Sequence, residues 1–146
     1  MNTNTKITLE FSPEEYDDLL RLAYLGEWMA NANKKGNDPM LLTEVHQLIY
    51  AKAYEEGFND IIEYDKELDE FAANIEFEEE MSELISEYDS VCFIEELASV
   101  FVQRDLDKLG DLSPKEHEQK TEELFDKYTH LFFEKGVESI TVNNNK

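Results

Sequence analysis

The sequence predicts a mostly α-helical protein of the α+β class, with about five or six helices packed in one core and a short two-stranded sheet. Apolar residues recur every three or four positions over most of the chain, and Ser-Pro pairs followed by a glutamate begin two of these stretches. Apolar residues alternate with polar ones near both ends, which is typical of strands. A length of 146 residues fits a single domain over 1–146.

The first predicted elements are a strand and a long helix. Ile7, Leu9 and Phe11 alternate with polar residues, which indicates a strand with one buried face. Ser12 and Pro13, with Glu15 behind them, predict a capping box and a helix over about residues 13 to 32. Its apolar stripe comprises Tyr16, Leu19, Leu20 and Ala23, widened by Leu22, Leu25 and Met29.

A polar loop separates this helix from a second one. Asp38 before Pro39 repeats the cap and proline, and Gly57 is placed to end the helix. The predicted buried face comprises Leu41, Val45, Leu48, Ile49 and Ala53. Residues 58–76 allow either short helices or an ordered loop.

Two further helices are predicted between residues 77 and 103. The first buries Phe77, Met81, Leu84, Ile85 and Tyr88 and carries glutamates on its other side. Asp89 or Ser90 is expected to cap the second. That helix is expected to be the most buried element because its own apolar residues occur on all of its sides. They are Val91, Phe93, Ile94, Leu97, Ala98, Val100, Phe101 and Val102.

The last predicted helix begins with Ser113, Pro114 and Glu116 and ends near Gly136. Val137, Ile140 and Val142 then predict a short final strand, followed by a polar disordered tail at about 143–146. We expect the N- and C-terminal strands to pair with each other and form the sheet. The free edge of such a sheet also allows a homodimer through the terminal strands.

The charge of the chain limits its partners. Thirty-five acidic residues against thirteen basic ones give a net charge of −22, which repels nucleic acid and anionic membranes. We therefore predict no direct nucleic-acid partner and no membrane partner, and a basic protein surface as the preferred partner. Residues 57–103 hold fifteen acidic residues and one basic residue, Lys66, so this third of the chain has a net charge of −14.

A partner-binding surface is predicted on the acidic side of the helix that follows Phe77. Its candidate residues are Glu78, Glu79, Glu80, Glu83 and Glu87. An ordinary solvated helix usually carries both acidic and basic residues and gains ion pairs between residues one turn apart. The charged residues of this helix are all acidic, so it forgoes such pairs. The alternative is that these side chains only solvate the outer face of the helix.

No catalytic residue, cofactor site or metal site is predicted. The three histidines are scattered, and the glycines form no phosphate-binding loop. Asp65, Glu67 and Asp69 suggest a calcium loop, but the glycine required at its sixth position is missing. Tyr16, Tyr24, Trp28, Tyr50 and Tyr54 could line a small-molecule pocket, although their helical spacing is more typical of core residues.

These observations predict a cytoplasmic, non-enzymatic interaction protein that binds, and can thereby inhibit, a basic protein. The sequence has no signal-peptide pattern and no apolar run of about 20 residues, and its lone Cys92 cannot form an internal disulfide. In size and charge the chain resembles antitoxins, immunity proteins and anti-restriction proteins, without a shared motif. One alternative is a nucleic-acid mimic of the anti-defence or immunity type. Another is a small enzyme or ligand-binding domain whose site is assembled from distant residues.

Overall fold

The computed structural model describes residues 6–141, which form four α-helices and one two-stranded antiparallel sheet. The elements are α1 Pro13–Asn31, α2 Thr43–Glu55, β1 Ile62–Asp65, β2 Glu70–Ala73, α3 Ile75–Leu106 and α4 Pro114–Lys135, followed by a 3₁₀ helix at Gly136–Ser139. The mostly helical α+β class is confirmed, but the predicted five or six helices are too many. Val142 and the predicted tail at 143–146 lie outside the described residues.

The chain divides into two compact units, Met1–Glu83 and Leu84–Lys146. The buried cluster of the first unit consists of Leu20, Tyr50, Ala53, Ile62, Phe77 and Met81. The buried cluster of the second unit consists of Ala98, Val102, Leu106, Leu124, Tyr128 and Phe132. The buried residues thus form two clusters instead of the one predicted core, while the single domain over 1–146 stays a prediction.

Helices α1 and α4 begin at the predicted capping boxes. The Ser12 side chain accepts a hydrogen bond from the Glu15 amide at 3.2 Å, and the Glu15 carboxylate accepts one from the Ser12 amide at 2.7 Å. Ser113 and Glu116 repeat this exchange at α4. Each box satisfies two amides that would otherwise lack a partner, so both helices begin where the sequence predicts.

Helix α2 begins later than predicted because an asparagine holds the preceding segment in a non-helical conformation. The Asn31 side chain accepts a hydrogen bond from the Leu41 amide at 2.8 Å and donates one to the Leu41 carbonyl at 3.0 Å. Asp38 accepts from the Lys35 amide instead of capping α2. The buried side of α2 is therefore Tyr50 and Ala53. Leu41, Val45 and Leu48, predicted to be buried, are exposed.

The sheet lies within residues 58–76, where the sequence allowed short helices or an ordered loop and predicted no strand. Strands β1 and β2 pair from Ile62 with Ala73 to Asp65 with Glu70. The Asp65 carboxylate accepts hydrogen bonds from the amides of Glu67 and Leu68, which closes the turn between the strands. Asp65 belongs to the acidic run that superficially resembles a calcium loop, and its carboxylate stabilises this turn.

The predicted sheet of terminal strands is wrong for the residues that the structure describes. Residues 6–12 form no strand, and Ile7 is 85% exposed. Near the other end, Val137 belongs to the 3₁₀ helix. The alternation of apolar residues was insufficient for strand formation because a strand also needs a neighbour for its backbone groups.

Helix α3 replaces the two helices predicted between residues 77 and 103. It continues for 32 residues, and the Ser90 hydroxyl donates to the Ser86 carbonyl at 2.7 Å inside the helix instead of capping a new one. Ala98 and Val102 are buried as expected. Phe93 and Val100 are 55% and 63% exposed, so the second half of α3 is not buried all round.

Candidate functional site

The five glutamates predicted to bind a partner all lie on α3 and are exposed. With 3.6 residues per turn, Glu79 and Glu83 lie one turn apart on the same side of the helix as Glu76. We call Glu76, Glu79 and Glu83 the acidic stripe. They belong to the first unit, whereas the exposed Glu87 belongs to the second.

Glu80 is engaged in an ion pair within the first unit. Its carboxylate pairs with the guanidinium of Arg21, which also contacts Asp17 at 3.1 Å and lies 5.4 Å from the ring centroid of Phe77. Arg21 thus bridges α1 and α3. Glu80 therefore has a structural role and is less available to a partner than the acidic stripe.

Glu78 lies on another side of α3 and lines a pocket of about 290 Å³ in the first unit. We call this cavity the aromatic pocket. Its polar and aromatic lining includes Tyr24, Glu27 and Trp28 from α1, His46 and Tyr50 from α2, and Glu78 from α3. The spacing of four residues from Tyr24 to Trp28 and from His46 to Tyr50 places each pair on one helix face.

Tyr50 is the most deeply buried polar residue of the aromatic pocket. The residue is 1% exposed, its ring centroid lies 3.9 Å from that of His46, and its hydroxyl has no hydrogen-bond partner among the described residues. Burial, and after it the neighbouring Tyr24, Glu78 and Glu27, raises the pKa of Tyr50 well above its usual range. The hydroxyl therefore stays protonated at neutral pH and can both donate and accept a hydrogen bond.

The charge of the aromatic pocket is negative. One oxygen of Glu27 accepts hydrogen bonds from the Asn31 amide group at 2.8 Å and from the Thr43 hydroxyl at 3.5 Å, and Glu78 adds a second carboxylate. Burial lowers the pKa of His46 against the opposing effect of Glu27, so its imidazole is neutral at pH 7. No lysine or arginine lines the pocket within the described part of the chain. The arrangement suits a cation.

Exposed apolar side chains form a third surface feature of the first unit. Leu22, Leu42 and Val45 line a shallow groove between α1 and α2, and all three are more than half exposed. Leu22 was predicted to be part of the buried stripe of α1. Exposed apolar surface of this kind is typical of protein interaction sites.

The sequence identified only some of the pocket residues. Tyr24, Trp28 and Tyr50 belonged to the aromatic set that could line a pocket, and Glu78 was assigned to the partner surface instead. Glu27 and His46 were missed. The signal for His46 was its spacing of four residues from Tyr50, which places an imidazole and a phenol on one helix face.

Within residues 6–141, no group of three or more His, Cys, Asp or Glu side chains could hold a metal ion. No helix in that range has the length and apolar character needed to cross a membrane. No protein-family model matches the chain, and no curated protein or solved structure matches it.

Proposed function

We propose that this protein is a non-enzymatic interaction protein that binds a basic protein partner through the acidic stripe. The observation that carries the proposal is the exposure of Glu76, Glu79 and Glu83, none of which forms an ion pair with another residue in the range 6–141. The chain has no lysine or arginine from residue 75 to residue 103 that could neutralise them along α3.

Electrostatics supports this use of the acidic stripe. Like charges one turn apart, such as Glu79 and Glu83, destabilise a helix by about 0.2–0.5 kcal/mol per pair. A lysine-rich or arginine-rich surface would remove this repulsion on binding. The same field would accelerate the encounter with a basic partner, and its effect would weaken as salt increases.

Apolar contacts would supply affinity that exposed charges alone do not provide. Exposed ion pairs contribute little to a complex, whereas buried apolar area contributes about 25 cal/mol per Å². The groove lined by Leu22, Leu42 and Val45 offers such area in the same unit. An interaction protein with both kinds of surface fits these residues better than a catalyst does.

A charge-reversal experiment tests the acidic stripe. Wild-type protein and the double variant Glu79→Lys/Glu83→Lys are immobilised, and proteins retained from a native cell lysate are identified by mass spectrometry. We expect the wild type to retain basic proteins at about 0.1 M salt and to release them at about 1 M, because screening shortens the reach of the charges. The double variant should retain none of them.

Glu118→Lys/Glu122→Lys is the matched control, since it reverses two exposed glutamates with the same spacing on α4. Both variants change the net charge equally, and circular dichroism checks that each is folded. Equal loss of retention in the two variants would assign binding to total charge, which contradicts a specific stripe. Release of the retained proteins by duplex DNA would favour the nucleic-acid-mimic form of the proposal.

A further inference from the structure

We propose that the aromatic pocket binds an organic cation with a primary ammonium group, of the size of a lysine side chain. The proposal goes beyond the acidic stripe because it concerns a different surface of the first unit. Its starting point is the Tyr50 hydroxyl, which is buried in the pocket wall without a hydrogen-bond partner among the described residues.

A buried hydroxyl without a partner is uncommon in folded proteins and costs about 1–3 kcal/mol. Its retention is understandable if a ligand supplies the missing hydrogen bond. An ammonium group has three N–H donors and no acceptor, so it can donate to the Tyr50 oxygen and to carboxylates at the same time. The hydroxyl proton then remains free for a carboxylate oxygen.

The walls of the pocket favour a cation over a neutral or anionic ligand. The aromatic rings of Tyr24 and Trp28 line the pocket, and aromatic rings attract ammonium groups. Glu27 and Glu78 provide negative charge on two sides, from α1 and α3. The neutral His46 does not cancel that charge. An anion would meet two carboxylates with no neighbouring lysine or arginine.

The size of the pocket restricts the cation. A volume of about 290 Å³ lies near the lower end of the range for small-molecule sites. It suits an ammonium group on a short alkyl chain better than a nucleotide or a polycyclic ligand. The same chemistry can come from a lysine side chain of a protein partner or from a free alkylamine.

The single tryptophan of the chain, Trp28, lies in the pocket wall and reports binding directly. The wild-type chain is titrated with Nα-acetyl-lysine-N-methylamide, with its norleucine analogue and with pentylamine. Tryptophan emission and backbone amide shifts are followed by fluorescence and NMR. We expect a saturable response to the lysine derivative and none to the norleucine analogue, which has nearly the same shape without the charge.

Variants assign the response to the pocket. Glu27→Gln/Glu78→Gln should weaken binding of the lysine derivative at least about tenfold, and Tyr50→Phe should weaken it by a smaller factor. Glu79→Lys/Glu83→Lys should leave the affinity within about twofold, because those residues do not line the pocket. This control separates failure of the pocket from failure of the acidic stripe.

The two amines distinguish the sources of the cation. A response to the lysine derivative alone would indicate a lysine of a protein partner, and a response to pentylamine as well would show that a free amine suffices. Absence of a saturable change in both emission and amide shifts would overturn the proposal. Equal binding of the norleucine analogue would also overturn it, since the pocket would then recognise only the alkyl chain.

Discussion

Each unit of the molecule buries one tyrosine, and the two differ in what their hydroxyls contact. Tyr50 in the first unit is 1% exposed and has no partner for its hydroxyl among residues 6–141. Tyr128 in the second unit is 5% exposed, donates to Asp105 and accepts from Arg104 at 3.0 Å. The second unit uses its phenol to hold α3 and α4 together, whereas the first unit buries its phenol in a pocket wall without a hydrogen-bond partner among the described residues.

Helices α4 and α3 also differ in whether their acidic residues have basic residues near them. On α4, Lys120 pairs with Glu123 at 2.7 Å, and lysines occur along the whole helix. The charged side chains in the first half of α3 are all acidic, and Glu80 pairs with an arginine on another helix. Acidic residues on α4 thus have lysines on the same helix, whereas those of the acidic stripe have no basic residue along the first half of α3.

The largest predicted effect comes from the second buried cluster. Phe132 is 2% exposed and packs against Phe101 and Tyr128 with centroid distances of 5.2 and 5.8 Å. Phe132→Ala should lower the stability of the second unit by about 3–5 kcal/mol, because it removes a large buried side chain. Native-state hydrogen exchange should show the loss in α4 amides, with less effect in α1. An equal loss in α1 would show that the two clusters unfold together.

Removing each buried hydroxyl sharpens the comparison between the tyrosines. Tyr128→Phe should destabilise the protein by about 1 kcal/mol because it breaks hydrogen bonds with charged residues. Tyr50→Phe should leave the free energy of unfolding within about 0.5 kcal/mol or raise it, since no hydrogen bond is lost. Chemical denaturation of both variants measures the difference. A larger cost for Tyr50→Phe would mean that its hydroxyl is already satisfied in solution.

The smallest predicted effect is a pH dependence in the first unit. Burial lowers the pKa of His46 in the folded state below the value of about 6.5 that it has in an unfolded chain. The unfolded state therefore binds the proton more tightly, and stability is lost as the pH falls below about 6.5. Denaturation of wild type and His46→Gln at several pH values between 7.5 and 5.5 measures this slope. A variant as pH-sensitive as the wild type would contradict the assignment to His46.

The two capping boxes were reliable local signals, whereas Asp38 before Pro39 misplaced the start of α2, and signals that required knowledge of distant neighbours failed. The capping boxes at Ser12 and Ser113 depend on residues three positions apart, so both helix starts could be predicted. The pairing of β1 with β2 was not predicted, because a short four-residue strand has little periodicity. The exposure of Leu48 also could not be foreseen, since the face that α2 buries depends on how it packs against α1 and the sheet.

In the candidate site, too, properties that depend on local spacing could be predicted and properties that depend on tertiary packing could not. The exposure of Glu79 and Glu83 could be predicted from helical spacing alone. The separation of Glu78 from the other glutamates depends on the position of α1 and α2, which the sequence did not provide. The partnerless hydroxyl of Tyr50 is a tertiary property, and no spacing of residues indicates it.

The clamp of Asn31 on Leu41 has a consequence for engineering this protein. Its two hydrogen bonds close the connection between α1 and α2 into a ring, and Gly36 and Asn37 are exposed in a local turn of this ring that hydrogen bonds between Lys35 and Asp38 close. Lengthening a closed loop costs little, about 0.6 kcal/mol for each doubling. A peptide tag or fluorophore inserted between Gly36 and Asn37 should therefore be tolerated, and it would give a handle for pull-down or imaging that leaves both chain ends free.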